Sequence, residues 1–374
     1  MPVACLPPRG REPTLRRPWC TLGKMQFREN VPLAPLTTLK IGGPARWFAE
    51  AITESDLLKA VDFARSSSLP LFILGGGSNL LVSDAGFPGL VIHVALRGIS
   101  ESSDGSDRIF SVAAGEDWDH FVTHAVDRSC GGIECLAGIP GTVGGTPVQN
   151  VGAYGQEVAT TIQTVRALDL ASGRFVDLSR SQCGFEYRKS IFNTIARGRY
   201  IVVAVTYHLS TSSPAMLNYA DIKQYFKDRP TPSLLEVAAG VREIRHGKGM
   251  LITPSDPDCR SAGSFFKNPV VPDNQLQQIQ SSLAEQTVPA ELKIPTYPAE
   301  PGFSKVPAAW LVERAGFSKG YILGNAAISS RHTLALINRG GASAAEIIAL
   351  KSEIVAAVQQ RFGIALEQEP VYVT

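Results

Sequence analysis

Gly138-Ile139-Pro140-Gly141-Thr142-Val143-Gly144-Gly145-Thr146-Pro147-Val148-Gln149-Asn150-Val151-Gly152-Ala153-Tyr154-Gly155 places six glycines and two prolines in a stretch that is otherwise apolar. A run so rich in glycine lets backbone come close to whatever lies beside it. Upstream, Gly75-Gly76-Gly77-Ser78-Asn79 stands between the apolar runs 69–74 and 80–82, where consecutive N–H groups can turn toward one anion. The shorter run is not a Walker motif, because no Gly-Lys-Ser/Thr follows. It is not a Rossmann fingerprint either, because Leu80 replaces the third glycine. Two readings stand side by side: a tight structural turn with a buried loop between domains, or two phosphate cradles that together hold a dinucleotide.

Around these runs the patterning predicts an α+β protein. Residues 53–64 put Leu57, Leu58, Val61 and Ala64 on one helical face, and residues 69–74 and 89–94 read as strands. A strand over 108–114 leads to a helix over 118–129. Residues 165–170 and 174–178 flank Ala171-Ser172-Gly173 as a hairpin, and 200–209 reads as a strand. Pro230, Pro232 and a loop over 249–261 punctuate the approach to a last region. That region ends in a helix from Ser343, opened by the capping box Ser343-x-x-Glu346 and striped by Ile347, Leu350, Ile354 and Val358. No repeat of fixed period is present.

At 374 residues the chain is long enough for two or three cores. Charged residues make up 19% and the formal net charge is +2, with no block of like charge to attract nucleic acid or a membrane surface, so small-molecule chemistry is favoured. No apolar run approaches the roughly 18 residues of a membrane span, and the N-terminus lacks the apolar core of a signal peptide, so a cytoplasmic protein is expected. Cys5, Cys20, Cys130, Cys135, Cys183 and Cys259 form no C-x-x-C pair and are expected to be free thiols. Residues 1–25, with Pro7, Pro8, Pro13, Pro18 and several arginines, read as a disordered tail, and Met25 is the expected start of translation. His120 and His124 have the spacing of metal ligands on a helix, but no acidic or cysteine partner accompanies them. A solvated helix face and no metal are expected there.

Three more stretches join the glycine runs: Gly184-Phe185-Glu186-Tyr187-Arg188-Lys189-Ser190-Ile191-Phe192, Ala262-Gly263-Ser264-Phe265-Phe266-Lys267-Asn268-Pro269 and Leu366-Glu367-Gln368-Glu369. Over these five ordered motifs, from about residue 33 onward, the chain resembles the UDP-N-acetylenolpyruvoylglucosamine reductase (MurB) family. The resemblance implies an FAD-binding fold of the vanillyl-alcohol oxidase (PCMH) type in two α+β subdomains, residues 26–97 with a C-terminal strand from 365–374, and residues 98–247. An α+β domain for the UDP-sugar would follow over 248–364. It also implies FAD and NADPH as cofactors and UDP-N-acetylglucosamine enolpyruvate as small-molecule substrate. The protein would be a monomer that reduces its flavin, then the enolpyruvyl group, in cytoplasmic peptidoglycan precursor synthesis. FAD would lie against Gly75, Gly76, Gly77, Ser78, Asn79, Gly138, Ile139, Pro140, Gly141, Gly144, Gly145, Gly152 and Ala153.

By the same resemblance, Arg188 stabilises an enediolate-like intermediate, Ser264 protonates it, and Glu369 polarises it or acts as a second acid. Without the resemblance Arg188 reads as a surface arginine and Ser264 as a turn or cap residue, and nothing separates Glu369 from Glu367, which period-two spacing puts on the same strand face. Tyr154, Tyr187, Tyr219, Lys248 and Asn268 match the family's substrate-binding positions, and Tyr219 marks the subgroup with a mobile loop that closes over UDP. An exposed lysine and a packing tyrosine are the plain readings of Lys248 and Tyr219. The stretch from Gly249 to Arg260 is longer than the family's usual connection, which bears on where Lys248 lies. Two other functions fit a chain of this kind: an FAD-dependent oxidase or dehydrogenase for an alcohol or sugar, and a nucleotide-sugar binding protein without redox activity. A yellow flavoprotein would separate the last from the others.

Overall fold

The computed structural model describes residues 25–285 and 293–374; residues 1–24 of the expected tail over 1–25, with Cys5 and Cys20, lie outside them. In chain order the first part runs β1 (Phe27–Pro32), β2 (Pro44–Ala51), α1 (Glu54–Ser66), β3 (Leu71–Leu74), β4 (Leu80–Val82) and β5 (Phe87–Val94). Four of these strands make a sheet in the order β1-β2-β5-β3. Helix α1 starts at Thr53, whose hydroxyl accepts from the Asp56 N–H, and it lays Leu57, Ala60, Val61 and Ala64 on the sheet. The strand expected from residue 69 begins at Leu71, because Ser68 turns at φ 51° and the Leu69 N–H closes back onto the Ala64 carbonyl.

Next come β6 (Ile99–Asp104), β7 (Asp107–Ala113), α2 (Trp118–Val126), a short hairpin of β8 (Gly152–Ala153) and β9 (Gln156–Glu157), and the long strands β10 (Ile162–Asp169), β11 (Arg174–Ser179) and β12 (Tyr200–Leu209). They form an antiparallel sheet ordered β11-β10-β12-β7-β6, with the expected hairpin as β10 and β11. Helix α2 stops three residues earlier than its pattern suggested, and Ser129 adopts the left-handed φ of 58°. A single apolar core runs without a break from Ala49, Leu57 and Leu90 through Phe110, Trp118 and Phe121 to Val205 and Tyr207.

Helices α3 (Ala220–Tyr225) and α4 (Leu234–Gly247) follow. The sequence pattern suggests no helix here and Pro230 and Pro232 read as punctuation, yet Pro232 precedes a full capping box. The Ser233 hydroxyl accepts from the Glu236 N–H at 3.3 Å, and the Glu236 carboxylate accepts from the Ser233 N–H at 2.8 Å.

The last part holds β13 (Val270–Pro272), α5 (Asp273–Glu285), β14 (Tyr297–Pro298), β15 (Phe303–Lys305), α6 (Ala308–Arg314), β16 (Ile322–Leu323), β17 (Ala326–Ile328), β18 (Leu336–Asn338), α7 (Ala344–Phe362) and β19 (Val371–Val373). The box at Ser343 forms as expected, and Ile347, Leu350, Ile354 and Val358 are all fully buried. Each such side chain contributes about 1.5–3 kcal/mol relative to exposure. Asp84, from the turn before β5, accepts from the Ala344 and Ala345 N–H groups at 2.7 and 3.0 Å, so the first part of the chain caps the helix of the last. β19 returns to lie parallel to β4, pairing Val371 with Leu80 and Val373 with Val82.

Asn338 stitches the two parts more deeply. Its Nδ2 donates to the Leu39 carbonyl at 3.1 Å, while its Oδ1 accepts from Gly340 and Ala342 at 2.9 and 3.0 Å. Asn338→Ala leaves all three groups without this partner in a buried place. It should cost about 2–4 kcal/mol, read as a lower urea midpoint, and an unchanged midpoint would show that the two parts are held together elsewhere.

Candidate active site

A cleft of about 460 Å³ opens where the two glycine runs, the 184–193 loop, the end of α4, the 261–267 segment and the segment leading into β19 converge. One wall is glycine on glycine. A Cβ on Gly76 would stand 2.6 Å from the Gly141 Cα, and one on Gly75 would stand 2.8 Å from the Thr142 Oγ1. At Gly76 glycine is required by the close approach of two backbones. Gly75, Gly76, Gly77, Ser78, Asn79, Ile139, Pro140, Gly141, Gly145, Gly152 and Ala153 all line the cleft. Gly138 and Gly144 do not. Gly144 packs under β7, where a Cβ would meet that of Ala114 at 2.6 Å. Gly138 donates to Asp119 Oδ1 at 2.6 Å and accepts from Arg245 Nε at 3.0 Å.

Arg188, Ser264 and Glu369, far apart in sequence, all face this cleft. Arg188 sits at φ 56° in the turn bounded by the Glu186–Lys189 bridge, a left-handed conformation that a non-glycine residue adopts at some cost. Its Nη2 donates to the Gly152 carbonyl at 2.6 Å and its Nε meets Glu369 Oε1 at 3.2 Å. Asn193 holds the turn by donating to the Arg188 carbonyl at 3.1 Å. Glu369 is held by its N–H, which donates to the Phe265 carbonyl beside Ser264, and by Asn79 Nδ2, which donates to its carbonyl at 3.3 Å. Burial pushes the Glu369 carboxyl above its ordinary value, and Arg188 and Lys267 oppose this without reversing it. Glu367, by contrast, is 70% exposed and pairs with Lys267. Ser264 follows Gly263 at φ 75°, and its hydroxyl has no protein partner among the described residues.

A second group stands on another side of the cleft. The rings of Tyr154 and Tyr219 meet edge to face at 5.4 Å, and the Lys248 Nζ lies 5.6 Å from the Tyr154 ring centre. Lys248 caps α4 and pairs with Asp221 at 2.7 Å. The long 249–260 stretch does not draw it away, because that stretch folds back. Met250 N–H reaches the Arg245 carbonyl, and Arg331 clasps Asp256, Asp258 and the His246 carbonyl. Tyr187 and Asn268 are not on the cleft surface. Asn268 Oδ1 caps α6 through the Ala308 N–H at 2.9 Å. The Tyr187 ring carries the Lys305 ammonium at 3.9 Å and the Arg188 guanidinium at 5.2 Å.

Sequence reasoning singled out neither Arg245, His332, Lys267 nor Gln149, all of which line the cleft. Arg245 is buried beside Tyr154 and donates to the Gly138 and Met250 carbonyls, with no carboxylate at salt-bridge distance among the described residues. It leaves a cation in the cleft wall that an anionic ligand would neutralise. His332 accepts the Leu334 N–H on Nδ1, and burial beside Lys248 and Arg245 lowers its pKa to about 4, so it is neutral at pH 7. Elsewhere, His120 is exposed on α2, but His124 is half-buried with its ring edge on Phe110 at 5.8 Å, so the solvated face expected there holds for His120 alone. Cys130, Cys135, Cys183 and Cys259 are buried free thiols. No described helix is long and apolar enough to cross a membrane.

The chain resembles known proteins along most of its length. Residues 45–179 match the FAD binding domain, and residues 254–373 match the UDP-N-acetylenolpyruvoylglucosamine reductase, C-terminal domain. The UDP-N-acetylenolpyruvoylglucosamine reductase of Streptomyces coelicolor is 43% identical over 376 residues, covering 97% of this chain and 94% of that protein. That of Thermobifida fusca is 45% identical over 352 residues, 93% and 98% of the two chains. Among solved structures, UDP-N-acetylenolpyruvylglucosamine reductase from Thermus caldophilus superposes with a TM-score of 0.62 at 28% identity, over 94% of this chain and 100% of that one.

The raised Glu369 carboxyl makes a stability prediction with a definite sign. Between its ordinary value of 4.5 and its higher folded value, the folded state binds the proton that the unfolded state has lost, so ionising Glu369 costs stability as pH rises. Glu369→Gln should therefore be at least as stable as the parent at pH 8, with the advantage shrinking as pH falls toward 4.5. Thermal midpoints across that range measure it, and a variant destabilised most at high pH would contradict the sign.

Proposed function

Because the chain belongs to the UDP-N-acetylenolpyruvoylglucosamine reductase family, it is an FAD-dependent reductase of UDP-N-acetylglucosamine enolpyruvate, and we propose that NADPH supplies its electrons and Ser264 the proton. We assign it to the cytoplasmic stage of peptidoglycan precursor synthesis, as a monomer whose product is UDP-N-acetylmuramate. Residues 26–97 with 365–374, and residues 98–247, would bind the flavin, and 248–364 the UDP-sugar. Family membership sets aside the non-redox binder, and an alcohol or sugar oxidase would leave the Arg188–Glu369 pair without a task.

The observation that carries the reading is the convergence of Arg188, Ser264 and Glu369 on one cleft walled by bare backbone. That wall fits the diphosphate of FAD. The close approach at Gly75, Gly76 and Gly141 leaves no room for side chains, and a Cβ on Gly145 would meet nothing within 4 Å. When held against this wall, FAD would supply the hydride for the substrate, having drawn it from NADPH. Once the terminal carbon of the enolpyruvyl group has become a methyl, an electron pair rests on the neighbouring carbon and its carboxylate, and the chain's own residues must stabilise and then protonate it. Arg188, fixed by Gly152 and Glu369, offers a permanent cation to that carboxylate. Ser264 gives its hydroxyl proton to the carbon, and its oxygen is reprotonated from the cleft. Glu369, which burial inclines to keep its proton, serves as a second acid. Tyr219, Tyr154 and Lys248 hold the substrate diphosphate, and Tyr187 and Asn268, behind the surface, steady the Arg188 turn and α6.

The test is stopped-flow reduction and reoxidation of the flavin. Ser264→Ala should be reduced by NADPH at the parent rate, while reoxidation by UDP-N-acetylglucosamine enolpyruvate falls by about 10²- to 10⁴-fold. Reoxidation at the parent rate would remove Ser264 from the protonation step.

A further inference from the structure

The segments that carry Ser264 and Glu369 run antiparallel. Phe266 bridges Gln368, the Glu369 N–H donates to the Phe265 carbonyl at 2.9 Å, and the Lys267 N–H donates to the Glu367 carbonyl at 2.9 Å. In this register Lys267 lies directly opposite Glu367 and diagonal to Glu369, and residues so related share one face of the ladder. The Lys267 ammonium meets Glu367 Oε1 at 2.5 Å. Lys267 is only 20% exposed and lines the cleft, while Glu367 reaches solvent.

Three charges act on Glu369 from the elements packed around it: Arg188 from the 184–193 loop, Lys267 from the paired segment and Glu367 from its own. The neutral phenol of Tyr187 stands near it as well. Arg188 stays charged at any working pH and is pinned at both ends of its guanidinium, so its influence is constant. Lys267 is different, because its charge is divided between two carboxylates, one inside the cleft and one outside.

We propose that Lys267 is a positioning residue that sets the proton occupancy of Glu369, and that Glu367 governs how much of the Lys267 charge reaches it. The proposal rests on the reading of Glu369 as an acid in the reaction. Removing Lys267 withdraws a cation, so Glu369 holds its proton to higher pH. Neutralising Glu367 withdraws an anion and frees Lys267 at once, so Glu369 releases its proton at lower pH.

The test is a ¹³C NMR titration of the FAD-loaded protein labelled at its glutamate carboxyls, with the Glu369 signal assigned by its loss in Glu369→Gln. Lys267→Met should move the Glu369 midpoint up and Glu367→Gln should move it down, each by about half a pH unit or more. The double variant should fall between them, and Lys267→Arg should restore the parent value. A role in packing alone would not give shifts of opposite sign. Shifts of the same sign, or none, overturn the proposal. If Lys267→Met does not retain FAD, Lys267→Gln with Glu367→Gln decides the matter. Flavin reoxidation across the same pH range separates the two ideas. Opposite shifts that the reoxidation profile ignores would uphold the role of Lys267 and remove Glu369 from the proposed chemistry.

Discussion

Where Gly76 meets Gly141, two stretches of backbone lie closer than any side chain would permit, and much of the molecule is arranged to keep them there. The first stretch is the turn between β3 and β4, which belongs to the four-stranded neighbourhood at the beginning of the chain. The second leads into a 3₁₀ turn under β7, where Gly144 N–H bonds to the Ala114 carbonyl at 2.8 Å. Pressing one on the other leaves a polar surface of peptide groups with apolar core behind it. Asn79, at the end of the first turn, then reaches both the Gln149 side chain and the Glu369 carbonyl. The turn that builds this glycine wall therefore also fixes where Glu369 stands.

The electrostatic design of the cleft depends on how its cations are balanced. Arg188, Lys248 and Lys267 each have a carboxylate partner, in Glu369, Asp221 and Glu367. Arg245 bonds to backbone carbonyls instead. His332 adds no charge at neutral pH, because burial among cations holds it in its neutral form. The site is thus positively biased without being a bare cluster of like charges, which suits a ligand with a diphosphate and a carboxylate.

What the sequence conveys here depends on whether a residue's surroundings are local. Helix α7 is written in its capping box and stripe, and β10 to β12 in their alternation and turn, because neighbours along the chain make those contacts. Helix α4 carries an equally good box at Ser233, but the prolines before it read as punctuation. The glycine runs suggested a cradle, but Gly144 and Gly138 could be told from their neighbours only by the packing of Ala114 and the bonds to Asp119 and Arg245. Likewise Glu367 and Glu369 are indistinguishable by spacing, and become different when one end of a short ladder enters the cleft and the other meets water. Arg245, His332 and Lys267 were invisible because each owes its place to segments distant along the chain.

The return of β19 to β4 has a consequence for how the molecule comes into being. Asn79 and Glu369 are bonded across a separation of 290 residues, and the β19–β4 pairing spans one residue more. Contacts of that range form late, because the loop between them must be ordered before the contact is gained. During synthesis the glycine turn and its sheet emerge first and can assemble with an edge of β4 still open, a surface of unpaired backbone waiting for the far end of the chain. A nascent protein thus acquires the glycine turn on one side of the cleft well before it acquires Glu369 on another.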